Sequence, residues 1–242
     1  MIEQFRRYEF KFVLNRRDYA RVQSDVAKFM TNDLFAKNSE NLSYDVLSLY
    51  FDTQTYSNYF EKIDGVKNRS KFRVRTYGTV ENQLSGFFLE EKRRNNNRVS
   101  KTREPLSKES YDALTTGRSL RPLEMKGDVS KRFFACQAGR PLKPNVLIGY
   151  TRRPYTSNHD GFFRVTFDSE LFAHYSNGVA PLKYRSPRWV SLLPNRIIME
   201  VKFNRRIPAW FHRIIQSYGL ERVSVSKFVL GVKGLRLAPD LS

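Results

Sequence analysis

The stretch Lys71-Phe72-Arg73-Val74-Arg75-Thr76-Tyr77 alternates apolar and polar side chains too strictly for a helix and reads as a β-strand. With a period of two, Lys71, Arg73, Arg75 and Tyr77 share one face, and Phe72, Val74 and Thr76 share the other. One face can pack and the other is a row of cations. A single strand of this kind is ordinary on a wetted sheet. Its recurrence is what constrains the fold.

The same division returns five times. Residues 5–14 set Tyr8, Phe10, Phe12 and Leu14 against Arg7, Glu9, Lys11 and Val13. Residues 87–93 place Phe88, Glu90 and Lys92 opposite Phe87, Leu89 and Glu91. Residues 146–153 put Ile148, Tyr150 and Arg152 together, and residues 162–168 set Arg164, Thr166 and Asp168 against Phe163, Val165 and Phe167. Residues 197–203 repeat the Glu-x-Lys pair as Glu200 and Lys202, opposite Ile197, Met199, Val201 and Phe203. The polar faces carry arginines and Glu-x-Lys pairs rather than the Ser, Thr and Lys of a merely wetted sheet.

Helical spacing fills the gaps. Asn15 reads as the cap of a helix that runs to about Met30 on Tyr19, Val22, Val26 and Phe29. Residues 33–43 read as a polar loop, 44–53 as a long strand, and Tyr56, Tyr59 and Phe60 as a short turn or helix. Residues 65–69 are a basic loop and 78–85 a polar hairpin connection. A returning strand over 99–103 carries Lys101, for which a solvated hairpin and a ligand-facing position are equally open.

Ser107 caps a helix to Leu114 that Gly117 ends. A linker over 118–127 leads to a second helix, capped by Asp128, to Gln137. Residues 169–193 read as irregular. Pro208 opens a helix that Gly219 stops, and residues 224–231 are short helix or turn. The pattern beyond Pro144 repeats the earlier one, so a single domain over 1–242 is expected.

Charge narrows the partner. Against 24 Asp and Glu stand 43 Lys and Arg, a net +19, which suits nucleic acid, anionic lipid, nucleotide or inorganic phosphate chains. Hydrophobic residues at 40% exclude a disordered basic tail. Cys136, the single cysteine, excludes an internal disulfide. His159, His174 and His212 form no ligand pair at zinc-site spacing. No run approaches a membrane span or a signal-peptide core, so a cytoplasmic location is expected.

These patterns fit an α+β fold: a closed or nearly closed antiparallel β-barrel with apolar faces outward under helices and charged faces lining a lumen. Crowded cations tolerate desolvation only when carboxylates and an anionic ligand offset them. Guanidinium forks and ammonium points together suit a linear phosphate chain, and carboxylates among them suit a divalent cation that bridges phosphates.

Eight short motifs, in order, carry a resemblance. They are Tyr8-Glu9-Phe10-Lys11-Phe12, Tyr50-Phe51-Asp52-Thr53, Lys71-Phe72-Arg73-Val74-Arg75, Leu89-Glu90-Glu91-Lys92, Tyr150-Thr151-Arg152-Arg153-Pro154-Tyr155, Arg164-Val165-Thr166-Phe167-Asp168, Met199-Glu200-Val201-Lys202 and Ser226-Lys227-Phe228. The ordered set resembles the catalytic domain of the vacuolar transporter chaperone (VTC) family, within the triphosphate tunnel metalloenzymes of the CYTH-like group. The resemblance implies a β-barrel tunnel that moves the γ-phosphoryl group of ATP onto a growing inorganic polyphosphate chain, with Mn2+ or Mg2+.

By motif, the resemblance implies that Lys11, Arg73, Arg75, Lys92, Arg152, Arg164, Lys202 and Lys227 hold phosphates. Glu200 would ligate the metal, and Lys101, Glu9, Glu90 and Tyr150 would support substrate binding. Arg7 stands where the hydrolase and cyclase branches have the first Glu of Glu-x-Glu-x-Lys, which favours the polymerase-like branch. The SPX domain and membrane helices of eukaryotic members have no counterpart within these residues, so a separate membrane protein is an expected partner.

Hydrolysis of tripolyphosphate or nucleoside triphosphate, and a non-catalytic polyphosphate-binding module, are the alternatives. Nucleic acid is the partner least favoured.

Overall fold

The computed structural model describes residues 8–78, 85–96, 98–116, 127–158, 162–176 and 189–239. The strands are β1 (Tyr8–Asn15), β2 (Met30–Asn32), β3 (Tyr44–Asp52), β4 (Asn68–Tyr77), β5 (Ser85–Asn95), β6 (Arg98–Leu106), β7 (Lys143–Ser157), β8 (Arg164–Tyr175), β9 (Val190–Ser191) and β10 (Arg196–Phe203). The helices are α1 (Arg16–Ala27), α2 (Leu34–Lys37), α3 (Ser57–Ile63), α4 (Lys108–Thr116), α5 (Asp128–Gly139), α6 (Ala209–Ser217) and α7 (Lys227–Gly234).

The hydrogen-bonded strand order is β1-β10-β8-β7-β3-β4-β5-β6, with β2 on β7 and β9 on β8. The path has two ends, β1 and β6. Among the described residues the sheet is therefore open, and a closed hydrogen-bonded ring is corrected to that path. The chain falls into two compact units: Met1–Asp45, Tyr150–Leu171 and Leu193–Val225 in the first, and Val46–Gly149, Phe172–Leu192 and Ser226–Ser242 in the second.

In the first unit β1 runs antiparallel to β10, and β10 to β8, in a register that sets Lys11 beside Glu200 and Glu200 beside Thr166. The alternate residues Phe12, Leu14, Val165, Phe167, Ile197, Met199, Val201 and Phe203 turn to the other face. There they form a core with Val22 and Val26 of α1 and Phe211 and Ile214 of α6. Each large side chain so buried contributes about 1.5–3 kcal/mol. Asn15 starts α1 by accepting from the Asp18 backbone N–H.

The second unit repeats the division. β4 pairs with β5 and β5 with β6, aligning Arg73 with Glu90 and Glu90 with Arg103. Phe72, Val74 and Leu89 pack on the opposite face against Tyr111 and Leu114 of α4 and Val129 and Phe133 of α5. The alternation read from the sequence thus becomes, in each unit, one apolar face under helices and one charged face.

Several boundaries move. α1 ends at Ala27, and Met30 opens β2, paired with Ser157. The apolar period persists through Met30 because β2 buries it in the same core. Within the expected loop at 33–43, Asp33 accepts from the Ala36 N–H and caps the one-turn α2.

α5 runs to Gly139, and Asp128 is its first residue rather than its cap. The cap comes from far away: the Glu104 carboxylate of β6 accepts from the backbone N–H of Val129 (3.0 Å) and of Ser130 (3.1 Å). β7 is longer than expected and takes in Pro144, which is tolerated near a strand start. β8 continues to Tyr175 through part of the stretch read as irregular. A positive φ of 52° at Glu170 breaks its alternation and hides the continuation. Arg7, residues 79–84, Gly117, residues 118–126 and residues 177–188 lie outside the described residues.

Candidate functional site

On the charged face of the first unit, Glu200 is the hub. Its Oε1 lies 3.4 Å from Lys11 Nζ, and its Oε2 lies 3.4 Å from the Arg152 guanidinium and 3.7 Å from Lys202 Nζ. Lys11 also reaches Glu9 at 3.2 Å and donates to the Val225 carbonyl at 3.1 Å. Arg152 holds Asp168 with two bonds, Nε to Oδ1 at 2.6 Å and NH2 to Oδ2 at 2.7 Å, and lies over the buried Tyr150 ring. Burial opposes the Arg152 charge, but Asp168, Tyr150 and Glu200 hold its pKa well above the ordinary value. Burial lowers Lys202, against Glu200 and Glu9.

On the charged face of the second unit the hub is Glu90, 1% exposed. Arg73 grips its Oε2 through Nε (2.7 Å) and NH2 (2.6 Å), and Lys101 Nζ sits 2.7 Å from Oε1. Arg75 NH1 approaches Oε2 at 3.8 Å. Two hydroxyls fix the guanidiniums: Arg73 NH1 donates to Tyr50 OH at 2.7 Å, and Arg75 Nε donates to Ser48 Oγ at 3.1 Å.

Burial alone would raise the Glu90 carboxyl, but Arg73, Arg75 and Lys101 hold it well below the usual carboxylate range. The Lys101 side chain is 44% exposed, yet its ammonium turns inward. Desolvation there, with repulsion from Arg73 and Arg75, brings it down to about 7. Burial also lowers Lys71 to about 7, with Asp52 opposing; its Nζ lies 4.4 Å from the Phe228 ring centroid.

Sequence-derived site residues thus fall into two groups. Glu9, Lys11, Tyr150, Arg152, Glu200 and Lys202 gather in the first unit; Arg73, Arg75, Glu90 and Lys101 gather in the second. Arg164 lies beside Lys202 in the ladder, and its guanidinium turns to Asp33 at 2.7 Å. Its buried Nε, and the buried Thr166 Oγ1 two residues on, make no hydrogen bond among the described residues. Lys92 is exposed, between Lys71 and Lys101 in the β4-β5-β6 register. Lys227 is buried in the first turn of α7, where its charge helps lower Tyr50.

The structure adds Asp168, Tyr50, Ser48 and Asp33 as partners of these cations. Alternation had put Asp168 on the face of Arg164, so the signal existed. Asp33 carried none, because it pairs across 131 positions.

Among the described residues no group of three or more His, Cys, Asp or Glu could enclose a metal. A hard cation bound by one or two carboxylates and completed by substrate phosphates needs no such cage. Glu200 and Glu9, both on Lys11, fit that mode.

Fold and site together define an α+β protein whose antiparallel sheet is helix-covered on one face and carries buried cation-carboxylate clusters on the other. The chain belongs to the VTC domain family, which matches residues 6–236. It is 20% identical over 274 aligned positions to Vacuolar transporter chaperone complex subunit 4 of Schizosaccharomyces pombe. That alignment takes in 96% of this chain and 38% of the yeast protein, so the chain spans well under half of its relative.

In fold it is similar to the crystal structure of a Bacillus halodurans protein provisionally assigned as an adenylate cyclase. The TM-score is 0.52 at 14% identity, over 90% of this chain and 92% of that one. The PH1819 protein of Pyrococcus horikoshii gives 0.47 at 13% identity, over 94% and 99%. The likeness to the Bacillus protein is one of fold, and the α+β class with an antiparallel sheet is the one expected from the sequence.

Proposed function

We propose that the protein is an inorganic polyphosphate polymerase that transfers the γ-phosphoryl group of ATP to a growing polyphosphate chain. One observation carries the reading furthest: Arg73, Arg75 and Lys101 converge on the single buried carboxylate of Glu90, with Tyr50 and Ser48 fixing the two guanidinium planes. Preorganised cations of this kind stabilise charge on a transferring phosphoryl group without reorganising during the reaction. Membership of the VTC family, and a relative named as a subunit of a transporter chaperone complex, support it.

The chemistry asks little covalent help of the protein. A terminal oxygen of the chain attacks the γ-phosphorus, the bond from that phosphorus to the β-γ bridging oxygen breaks, and ADP leaves with the electron pair. Arg73, Arg75 and Lys101 bind phosphate oxygens in the second unit; Lys11, Arg152, Arg164 and Lys202 do so in the first. Asp168 keeps Arg152 charged and aimed. Glu9 and Glu200 hold Lys11 in place, and Lys92 and Lys227 add positive charge for phosphate groups. A divalent cation, Mn2+ or Mg2+, held by Glu200 with Glu9, would supply Lewis-acid neutralisation of phosphate oxygens. Action in the cytoplasm beside a separate membrane protein belongs to the same proposal.

The test is product analysis with ATP and Mn2+. Long phosphate polymer formed with ADP supports the proposal, and orthophosphate as the sole phosphorus product beside ADP would replace it with hydrolysis. Binding of polyphosphate with no turnover would leave a binding module.

A further inference from the structure

A second basic surface lies at the end of the β4-β5-β6 sheet where β4 begins and β5 turns into β6. Arg69 pairs with Arg94 across the strands, and Arg94 with Val99. Like charges directly opposite repel, so this register concentrates positive charge at the end of the sheet. Arg93 and Arg98 are exposed beside them, and Lys67 precedes them in the connecting loop. Local hydrogen bonds hold the tip: Arg69 donates to the Val66 carbonyl, the Asn96 N–H to Asn68 Oδ1 at 3.1 Å, and Arg94 Nε to the Asn96 carbonyl at 2.8 Å.

Three large aliphatic side chains stand out among these cations. Ile63 is 49% exposed, Val66 39% and Val99 55%. Ile63 ends α3 and Val66 sits in the loop that enters β4 at Asn68, so both lie at the same end of the sheet as Val99. Asp64 is an exposed acid here, and Glu61 is taken up by Arg140 at 2.8 Å.

We infer that this tip docks on an anionic lipid bilayer, with Arg93, Arg94 and Arg98 meeting headgroup phosphates and Val66, Val99 and Ile63 entering the interface. Charge complementarity selects the anionic surface. The interleaved aliphatics select a bilayer over a soluble polyanion, because they gain only where water is displaced by acyl chains. Arg69, Arg94 and Val99 continue the sheet face of Arg73, Glu90 and Lys101 toward the hairpin end, while Arg93 and Arg98 leave from the opposite face. The tip thus presents cations on both faces, and its docking does not rest on the proposed reaction.

Sedimentation of the whole chain with vesicles tests this. The protein should bind phosphatidylcholine vesicles containing phosphatidylserine, and not phosphatidylcholine alone. Arg93→Gln, Arg94→Gln and Arg98→Gln together should weaken binding roughly a hundredfold, at a several-fold loss per cation. Val66→Asn with Val99→Asn, which removes the apolar surface at unchanged charge, should also weaken it. Arg73→Ala with Arg75→Ala should leave vesicle binding unchanged.

Equal binding to neutral vesicles, or unchanged binding in the triple variant, overturns the inference. So does full affinity after both valines are made polar at unchanged charge, which would mark a plain polyanion site. If the triple variant loses affinity for an RNA oligomer and keeps it for vesicles, the tip is an RNA site. If vesicle binding is lost with Arg73 and Arg75, the lipid is held at the Glu90 cluster.

Discussion

Arg152 and Asp168 form a two-bond buried ion pair, with both nitrogen-oxygen distances at or below 2.7 Å and Asp168 wholly removed from solvent. The pair fixes the plane of a guanidinium that also touches Glu200. Removing one member of such a pair strands the other charge. Asp168→Ala should therefore cost about 3–5 kcal/mol of stability, read as a lower midpoint in denaturant melts. Lys202→Ala, at a side chain 33% exposed, should cost far less stability while weakening tripolyphosphate binding. A stable Asp168→Ala protein would remove the pair from the framework.

Glu90 sets an acid limit. Its carboxyl is depressed in the folded state, so its contribution is full above the unfolded carboxyl value and is lost as pH falls through the folded one. Melting temperature should therefore drop below about pH 4 in the wild type. Glu90→Gln should flatten that part of the profile, lower stability at neutral pH, and be stabilised more than the wild type by added tripolyphosphate, which replaces the missing negative charge. Equal ligand-induced shifts in the two proteins would argue against phosphate at this cluster.

Lys101 sets a limit at neutral pH. With a folded value of about 7 it carries its proton at pH 6 and largely lacks it at pH 8. Tripolyphosphate binding to the Glu90 cluster should weaken across that interval, measured by titration calorimetry. Lys101→Arg should abolish the lysine's share of the change, since guanidinium stays protonated. Stability runs the other way. A lysine depressed in the folded state favours folding progressively as pH rises from about 7 toward its unfolded value, and Lys71 adds the same sign. A pH-independent affinity would place the Lys101 ammonium outside the binding site.

Gly127 separates folding from chemistry. A Cβ there would lie 1.9 Å from Glu104 Oε2, the carboxylate that caps α5. Gly127→Ala must push that cap aside and should cost about 0.5–2 kcal/mol with the kinetics of ATP turnover unchanged. Altered turnover at equal stability would contradict the structural role.

Much of this was legible in the sequence, because side-chain alternation survives any packing detail. Arg73 and Arg75 opposite Phe72 and Val74, and Glu200 and Lys202 opposite Met199 and Val201, fall on the faces that period two assigns. What alternation cannot give is partnership across the chain. Glu104 capping α5 and Asp33 meeting Arg164 depend on which strands become neighbours. A left-handed residue such as Glu170 breaks the period and conceals the second half of β8. Lys92 lies in one of the eight motifs and Lys101 in none of them, yet of the two only Lys101 turns its ammonium to Glu90, which depends on the pairing of β5 with β6.

The most direct test of the proposed activity follows the phosphorus itself. ATP labelled at its γ-phosphorus and ATP labelled at its α-phosphorus are incubated separately with the protein and Mn2+, and the products are resolved by chain length. The γ-label should enter polymer that grows with time, with one ADP released per phosphate incorporated and α-label confined to nucleotide. Gamma-label recovered only as orthophosphate, with no polymer at any time, would contradict the proposed activity.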